Sequence, residues 1–510
     1  MRDLLNLEAL LRGGDYVWES LPEEGIRILR HVIFCSRPVS NHYQSMNIIV
    51  PAAYVREDGS IDRNARVSGY TADTAPVIFR NSCSGWMSSD PDSDRSAAFS
   101  AKDVAESGYV YVCCGARSRD LGRIGKMPAP VIDLKAGIRF LRRNASVLPG
   151  CMDRIISIGG SGAGEMSSVI GATGNHPDYL PYLEEISAAM DVRDDVFGCM
   201  CYYPIADIEN ADLAYAWLRF DSGEASVTLG GGGQHGHVDF SEFQLALQQD
   251  MSRRFAEYVN ELQLKDEDGT QLTFARAEDG GADPRKGSYY EKILANLSDA
   301  LNAFLAREAD PAAWIRSQYT ADGMLPDWLT IHQGQYRITD LDGFLAGTHL
   351  ARNKDIPGFD TFWKTAENNG FGGGRDTAVH YSRETGALLA ANRERYAQLS
   401  GFEACDVPAY IREPEDETVR EQTRLMNATH LLLENARKKK LMDPAPFWRI
   451  RSGTADEHTS FSVGYNLALA ARENAGVQAD YHLVWNMRHG GEMEGSSTGT
   501  FRKWVEGLLQ

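Results

Sequence analysis

Apolar and polar positions along the first two hundred residues switch repeatedly between period 2 and period 3.6. Runs at 28–37 and 45–55 read as an antiparallel entry pair of strands, and β-branched runs at 75–82, 109–115 and 154–159 read as buried strands. Between them, 97–107 and 129–144 carry helical spacing, and Val196–Ile205 is a further strand pattern. Helices alternating with such runs predict an α/β fold, with a mostly parallel central sheet covered on both faces. After Asp207 the rhythm stops, and it resumes only with the strand at 447–452. Helical spacing over Thr459–Glu473, a strand-like run at 481–485 and an amphipathic stretch over Thr500–Leu509 follow. Loops as long as the intervening stretch are not found inside compact domains, and a chain of 510 residues exceeds what one core usually covers. The expected organisation is therefore a core built from residues 1–207 and 441–510, with residues 208–440 inserted as a lid. Such caps lie over the carboxyl ends of parallel strands, where ligands bind.

The strand at 154–159 runs into Gly159-Gly160-Ser161-Gly162-Ala163-Gly164. A strand, a sharp small-residue turn around one serine and a following helix form a nucleophile elbow, which lifts a hydroxyl clear of the sheet. It also aims the Gly162 N–H at a developing oxyanion. The second small position after the serine is Ala163, not glycine. A phosphate-binding turn would need a lysine-serine ending, and none is present.

A serine needs a base and an acid to become a nucleophile, and after an elbow they follow in the order acid, histidine. His489 closes the strand-like run Tyr481–Trp485 and is released by a glycine pair, the expected place of the base. Upstream, the strand from Trp448 ends in a loop carrying Asp456, which would fix the tautomer of His489 and stabilise its imidazolium form. Glu457, next door, and Asp207, one strand earlier, are the competing acids. A second oxyanion donor is expected behind the strand Ala75–Asn81, in Ser82-Cys83-Ser84-Gly85-Trp86. The Ser84 N–H is nominated, with Cys83 and Gly85 as alternatives.

On these residues the chain resembles the bacterial tannase and feruloyl-esterase-like group of the α/β-hydrolases, over most of its length. The carrying segments are Ile78–Met87, the elbow Gly159–Ser168, Cys199–Asn210, Asp456–Phe461 and the loop at His489. The resemblance implies an α/β-hydrolase fold with a large inserted lid domain, and puts that group's serine, aspartate and histidine on Ser161, Asp456 and His489. It implies that Ile205 packs on the aromatic acid of the substrate. It further implies that Lys354 and Glu367, from the lid, hold the ring hydroxyls by charge-assisted hydrogen bonds. Where the group carries a second aspartate two residues after the first, this chain has His458, a neutral acceptor with no fixed charge. The implied activity is hydrolysis of galloyl-type esters of phenolic aromatic acids, without a cofactor. A site with one fewer acceptor suits feruloyl or other hydroxycinnamoyl esters. A serine peptidase of the same fold is a further alternative.

Composition narrows the partners. Hydrophobic content of 43% supports a packed interior, and no apolar run reaches the ~20 residues of a membrane span. The start Met1–Glu8 sets acids among its leucines and does not read as a secretory signal. A formal net charge of −19 argues against nucleic acid or an anionic membrane as partner and suits a neutral small-molecule ester. The eight cysteines fall in no metal-binding pattern, so free thiols and a cytoplasmic, reducing compartment are expected. His235, His237 and Asp239 follow a run of glycines and read as flexible turn residues before a helix, not as a metal site. The basic run at 437–440 ends an amphipathic helix, where cations suit the dipole. Gly372–Asp376 reads as a hinge or a plain loop, and no oligomeric state is implied.

Overall fold

The computed structural model describes residues 3–92, 100–219, 224–229, 234–320, 324–348, 354–373, 377–438, 440–490, 492 and 497–509. Nine strands join in one sheet: β1 (Glu19–Leu21), β2 (Ile26–Ile33), β3 (Ser45–Pro51), β4 (Val77–Asn81), β5 (Val110–Cys114), β6 (Ile155–Gly160), β7 (Gly198–Tyr202), β8 (Phe447–Gly453) and β9 (Gln478–Val484). Their spatial order is β1-β2-β3-β5-β4-β6-β7-β8-β9. The β1, β2, β3 and β5 neighbours pair antiparallel, and every pair from β5 to β9 is parallel. The inner parallel strands β4, β5 and β7 are buried on both faces, which is why they read as largely apolar runs, whereas the edge strand β9 alternates.

Alternation along each strand splits the core in two. Val77 and Phe79 of β4 enter a large cluster on one face, while Ile78 joins Ile156, Ile158 and Met200 on the other. The first face is covered by α2 (Ala129–Arg143), α3 (Gly162–Ala172) and α5 (Phe461–Arg472). The second is covered by α1 (Ala101–Ser107) and α6 (Ser497–Leu509), through Val104, Phe501 and Val505. Buried charges on the α2 side are paired: Asp194 accepts from Lys135 at 2.8 Å and Arg139 at 2.6 Å.

Between β7 and β8 no described residue joins this sheet. That stretch begins with α4 (Ala211–Leu218) and continues mainly as helices, with Glu242–Leu262 and Ser288–Leu305 the longest. It also holds two small antiparallel pairs, Glu224–Leu229 with Gln234–Asp239 and Leu329–His332 with Gln335–Ile338. The first pair corrects the reading of His235 to Asp239 as flexible turn residues, because Gln234–Asp239 is a strand that runs up to the helix. Residues 230–233 and 374–376 lie outside the described residues, and with them most of the glycine run and of the hinge reading. All eight cysteines are free thiols. No described helix is long and apolar enough to cross a membrane.

Candidate active site

β6 ends at Gly160, and α3 begins two residues later. Between them Ser161 adopts φ 60° and ψ −127°, a conformation that costs a non-glycine residue energy unless its surroundings enforce it. The Ser161 N–H donates to Tyr202 O at 2.9 Å, and the Ser161 carbonyl accepts from the Glu165 N–H at 3.0 Å. Glycine supplies the room. A Cβ on Gly159 would stand 2.1 Å from the Ala163 carbonyl oxygen, and one on Gly164 would stand 2.6 Å from Tyr202 O. The alanine after Gly162 is harmless because its carbonyl makes the close approach, while its methyl packs in the core.

The loops after β8 and β9 meet at the same edge of the sheet. His489 donates from Nδ1 to Asp456, 2.9 Å from each carboxylate oxygen, a contact that settles which ring nitrogen carries the proton. Asp456 is almost wholly buried and is oriented by the backbone N–H groups of His458 and Thr459 at 2.8 and 3.2 Å. Tyr203, in a left-handed conformation at φ 49°, lays its ring 5.7 Å from that of His489 and follows the residue that accepts from Ser161 N–H. Ser161 and His489 therefore flank one aromatic residue at the end of β7. No hydrogen bond joins them in the free protein; such contacts often tighten only in the substrate complex.

Behind β4 the loop Ser84–Trp86 folds against the elbow, and a Cβ on Gly162 would lie 2.7 Å from Trp86 N and 3.2 Å from Gly85 N. The nominated Ser84 N–H is already used, donating to Ser82 O at 2.8 Å. The Gly85 N–H makes no hydrogen bond among the described residues and stands beside Gly162. Gly85, whose φ of 64° opens the turn, thus keeps an unoccupied N–H next to the elbow.

Comparison with known proteins gives the setting. The family model described as BD-FAE, an esterase-like α/β-hydrolase domain, matches residues 68–218, which carry β4 to α4 and the elbow. Among solved structures, tannase from Lactobacillus plantarum is 26% identical at a TM-score of 0.77, covering 97% of this chain and 98% of that one. Fusobacterium nucleatum tannase is 26% identical at a TM-score of 0.78 over 100% of both chains. A tannin acyl hydrolase in complex with ethyl gallate is 27% identical at a TM-score of 0.76, covering 97% of each chain. No curated protein sequence matches. Over nearly its whole length the chain is similar to bacterial tannases, and it has the mostly parallel sheet of an α/β-hydrolase fold.

In this chain, the stretch between β7 and β8 packs side chains of its own against the loops that carry Asp456 and Ser84–Trp86. The Lys354 N–H donates to the Tyr215 hydroxyl at 2.6 Å, and that hydroxyl donates to Glu457 O at 2.8 Å, tying the insertion to the loop of Asp456. Lys354 Nζ lies 3.8 Å above the Phe359 ring, whose edges meet Trp86 and Tyr215. Glu367 sits in the short helix Ala366–Gly370, which packs on the Ser84–Trp86 turn. Lys354 and Glu367 are not paired with each other, and neither side chain has an ion pair among the described residues.

His458 stands 4.8 Å from His489, ring to ring, and is exposed to solvent. Desolvation, reinforced by His489 and Lys354, pulls its pKa down to about 4, so it is neutral at physiological pH. Ile205 is 2% exposed and belongs to the main apolar cluster. The competing acids are otherwise engaged. Asp207 accepts from Tyr258, Asn210 and Asn427, and Glu457 is paired with Arg488. Sequence reasoning passed over Tyr203, Tyr215 and Phe359, whose partners lie far off in the chain. It also passed over Glu165, although one acid in an otherwise small and apolar helix turn was a readable signal.

Proposed function

We propose that this protein is a serine esterase for phenolic aromatic acid esters, working through Ser161, His489 and Asp456. The observation that carries the reading is the two-oxygen contact of Asp456 on His489 Nδ1, beside a serine in a strained elbow, within a tannase-like fold. His489 Nε2 takes the Ser161 proton as the hydroxyl attacks the ester carbonyl. The Gly162 and Gly85 N–H groups receive the developing oxyanion. His489 then protonates the departing alcohol, and water, activated by the same imidazole, hydrolyses the acyl-enzyme.

The insertion, residues 208–440, acts as a lid between the core segments 1–207 and 441–510. Lys354, Glu367 and His458 are the side chains offered to ring hydroxyls, a donor, an acceptor and a neutral imidazole, with Ile205 beneath the ring. The unpaired state of Lys354 and Glu367 supports this, since each keeps its hydrogen-bonding capacity for a ligand. A galloyl-type acyl group is the first choice, in line with the tannin acyl hydrolase that holds ethyl gallate. The neutral His458 favours a second reading, hydroxycinnamoyl esters, because it removes a fixed negative charge from the ring's surroundings. The eight free thiols fit a cytoplasmic location.

Initial rates on methyl gallate and methyl ferulate, with and without a serine-directed sulfonyl fluoride, test the reading. Inactivator-sensitive gallate turnover is expected. Sensitive ferulate turnover without gallate turnover moves the acyl group to hydroxycinnamates, and insensitivity on both, or full activity in Ser161→Ala, overturns the mechanism.

A further inference from the structure

One helical turn after Ser161, Glu165 lies in α3 with no exposed surface. One of its oxygens, Oε2, accepts the indole N–H of Trp86, and the other is buried with no hydrogen-bond partner. Trp86 belongs to the turn that faces Gly162, with its backbone nitrogen 2.7 Å from where a Gly162 Cβ would be. That turn does not hold its shape by propensity, since Gly85 and Trp86 are both left-handed, at φ 64° and 54°. Its carbonyls are clamped from one side: Arg119 Nε donates to Gly85 O at 2.8 Å and Ser118 Oγ to Trp86 O at 2.6 Å. The indole-to-carboxyl bond is the side-chain bond that crosses from the turn into the nucleophile helix.

We propose that Glu165 is a positioning residue that locks the oxyanion-donating turn to the nucleophile helix through the Trp86 indole. The inference rests on the serine-esterase reading above and names how the two halves of its oxyanion site are held in register. Ionisation of this carboxyl is disfavoured by burial, although the Trp86 indole N–H that it accepts works in the other direction. The charged groups that bear on it are the acids Asp207 and Glu367, and burial is the larger effect; all three push its pKa well above the usual carboxylate range. An acceptor in that place is mimicked by glutamine and abolished by leucine.

The test compares Glu165→Gln, Glu165→Leu, Trp86→Phe and the double variant Glu165→Leu/Trp86→Phe on the methyl ester that the wild type turns over. Circular dichroism and melting curves follow the fold of each variant. Loss of register displaces a donor without removing it, so kcat in Glu165→Leu should fall about 10- to 100-fold, with KM moved less than about threefold. Glu165→Gln should stay within about threefold of wild type, Trp86→Phe should match the leucine variant, and the double variant should be no worse than either. Wild-type kcat in Glu165→Leu, a glutamine variant as impaired as leucine, or additive losses would overturn the proposal. Should Glu165→Leu fail to fold, Trp86→Phe and Glu165→Gln still decide it, because wild-type kcat in Trp86→Phe leaves the indole without a role. Ser161→Ala separates the layers: if it is inactive while the Glu165 and Trp86 variants are unimpaired, only this inference falls. If it is fully active, the esterase reading itself falls.

Discussion

Asp456 does two things to His489 with one carboxylate. Both oxygens face Nδ1, and the backbone N–H groups of His458 and Thr459 stop the side chain from turning away. Asparagine would keep the shape but present an N–H to the imidazole and favour the wrong tautomer. Asp456→Asn is therefore expected to lower kcat by about 10⁴-fold with the melting temperature nearly unchanged, checked by steady-state rates and a thermal melt. A loss below tenfold would show that another group orients the base. His458 carries the second prediction at this scale. On the proposed reading its neutral ring, 4.8 Å from His489, takes the place of a carboxylate that would accept from a ring hydroxyl. His458→Asp should raise the ratio of kcat/KM on methyl gallate to that on methyl ferulate, and an unmoved ratio would place His458 off the ring. The contact of Asp456 with His489 follows the order of loop acid and loop histidine read from the strand patterns, whereas His458 was singled out only by the resemblance. The bond that occupies the Ser84 N–H was not readable in the sequence, since it depends on local turn geometry, with a φ of 64° at Gly85, which apolar patterning does not encode.

At the scale of elements, α4 links the core to the insertion through one phenol. Tyr215 is fully buried, and its hydroxyl accepts the Lys354 N–H and donates to the carbonyl of Glu457. Tyr215→Phe leaves both backbone groups without that partner, which should cost about 1–3 kcal/mol in urea unfolding. The same change frees the Lys354 backbone from the loop of Asp456, so KM for a phenolic ester should rise more than kcat falls. An unaltered midpoint together with an unaltered KM would mean that the bridge contributes nothing. Strand and helix positions were readable because β4 to β9 are doubly buried or alternate cleanly and the glycines mark the turns. Bridges such as that of Tyr215 were not readable, since its two partners lie 139 and 242 residues away. The pair Glu224–Leu229 with Gln234–Asp239 was missed for a local reason: the glycines between its strands dominate the pattern and hide two short runs.

Over the whole molecule, the insertion is held together internally by buried acids that bind backbone, not by apolar contact alone. Asp360 accepts from His380 Nδ1, Asn368 Nδ2 and the N–H groups of Tyr381 and Ser382, all within 2.9 Å. Asp212, at the start of α4, accepts the N–H groups of Gly358, Phe359 and Asp360 at 2.6, 2.9 and 2.8 Å. The alternation of elements made the interruption after β7 visible in the sequence, but nothing in its pattern distinguishes these two acids from solvated ones. Burial, with the carboxylate of Asp360 adding to it, overcomes those hydrogen bonds and raises the Asp212 pKa from 3.8 to about 6. A carboxyl that is harder to ionise in the folded state than in the unfolded chain stabilises the fold fully below the unfolded pKa. That contribution is lost as pH rises through the folded pKa. The window is therefore about pH 4 to 6. Asparagine cannot titrate, although its amide replaces one acceptor facing the Asp360 N–H. The melting temperature of wild type minus that of Asp212→Asn should consequently be largest near pH 4 and shrink toward pH 7, whatever its absolute size. The comparison subtracts the other acids, which titrate in both proteins. A difference that stays constant or widens with rising pH would mean that Asp212 is ionised throughout and holds the insertion as a charged acceptor.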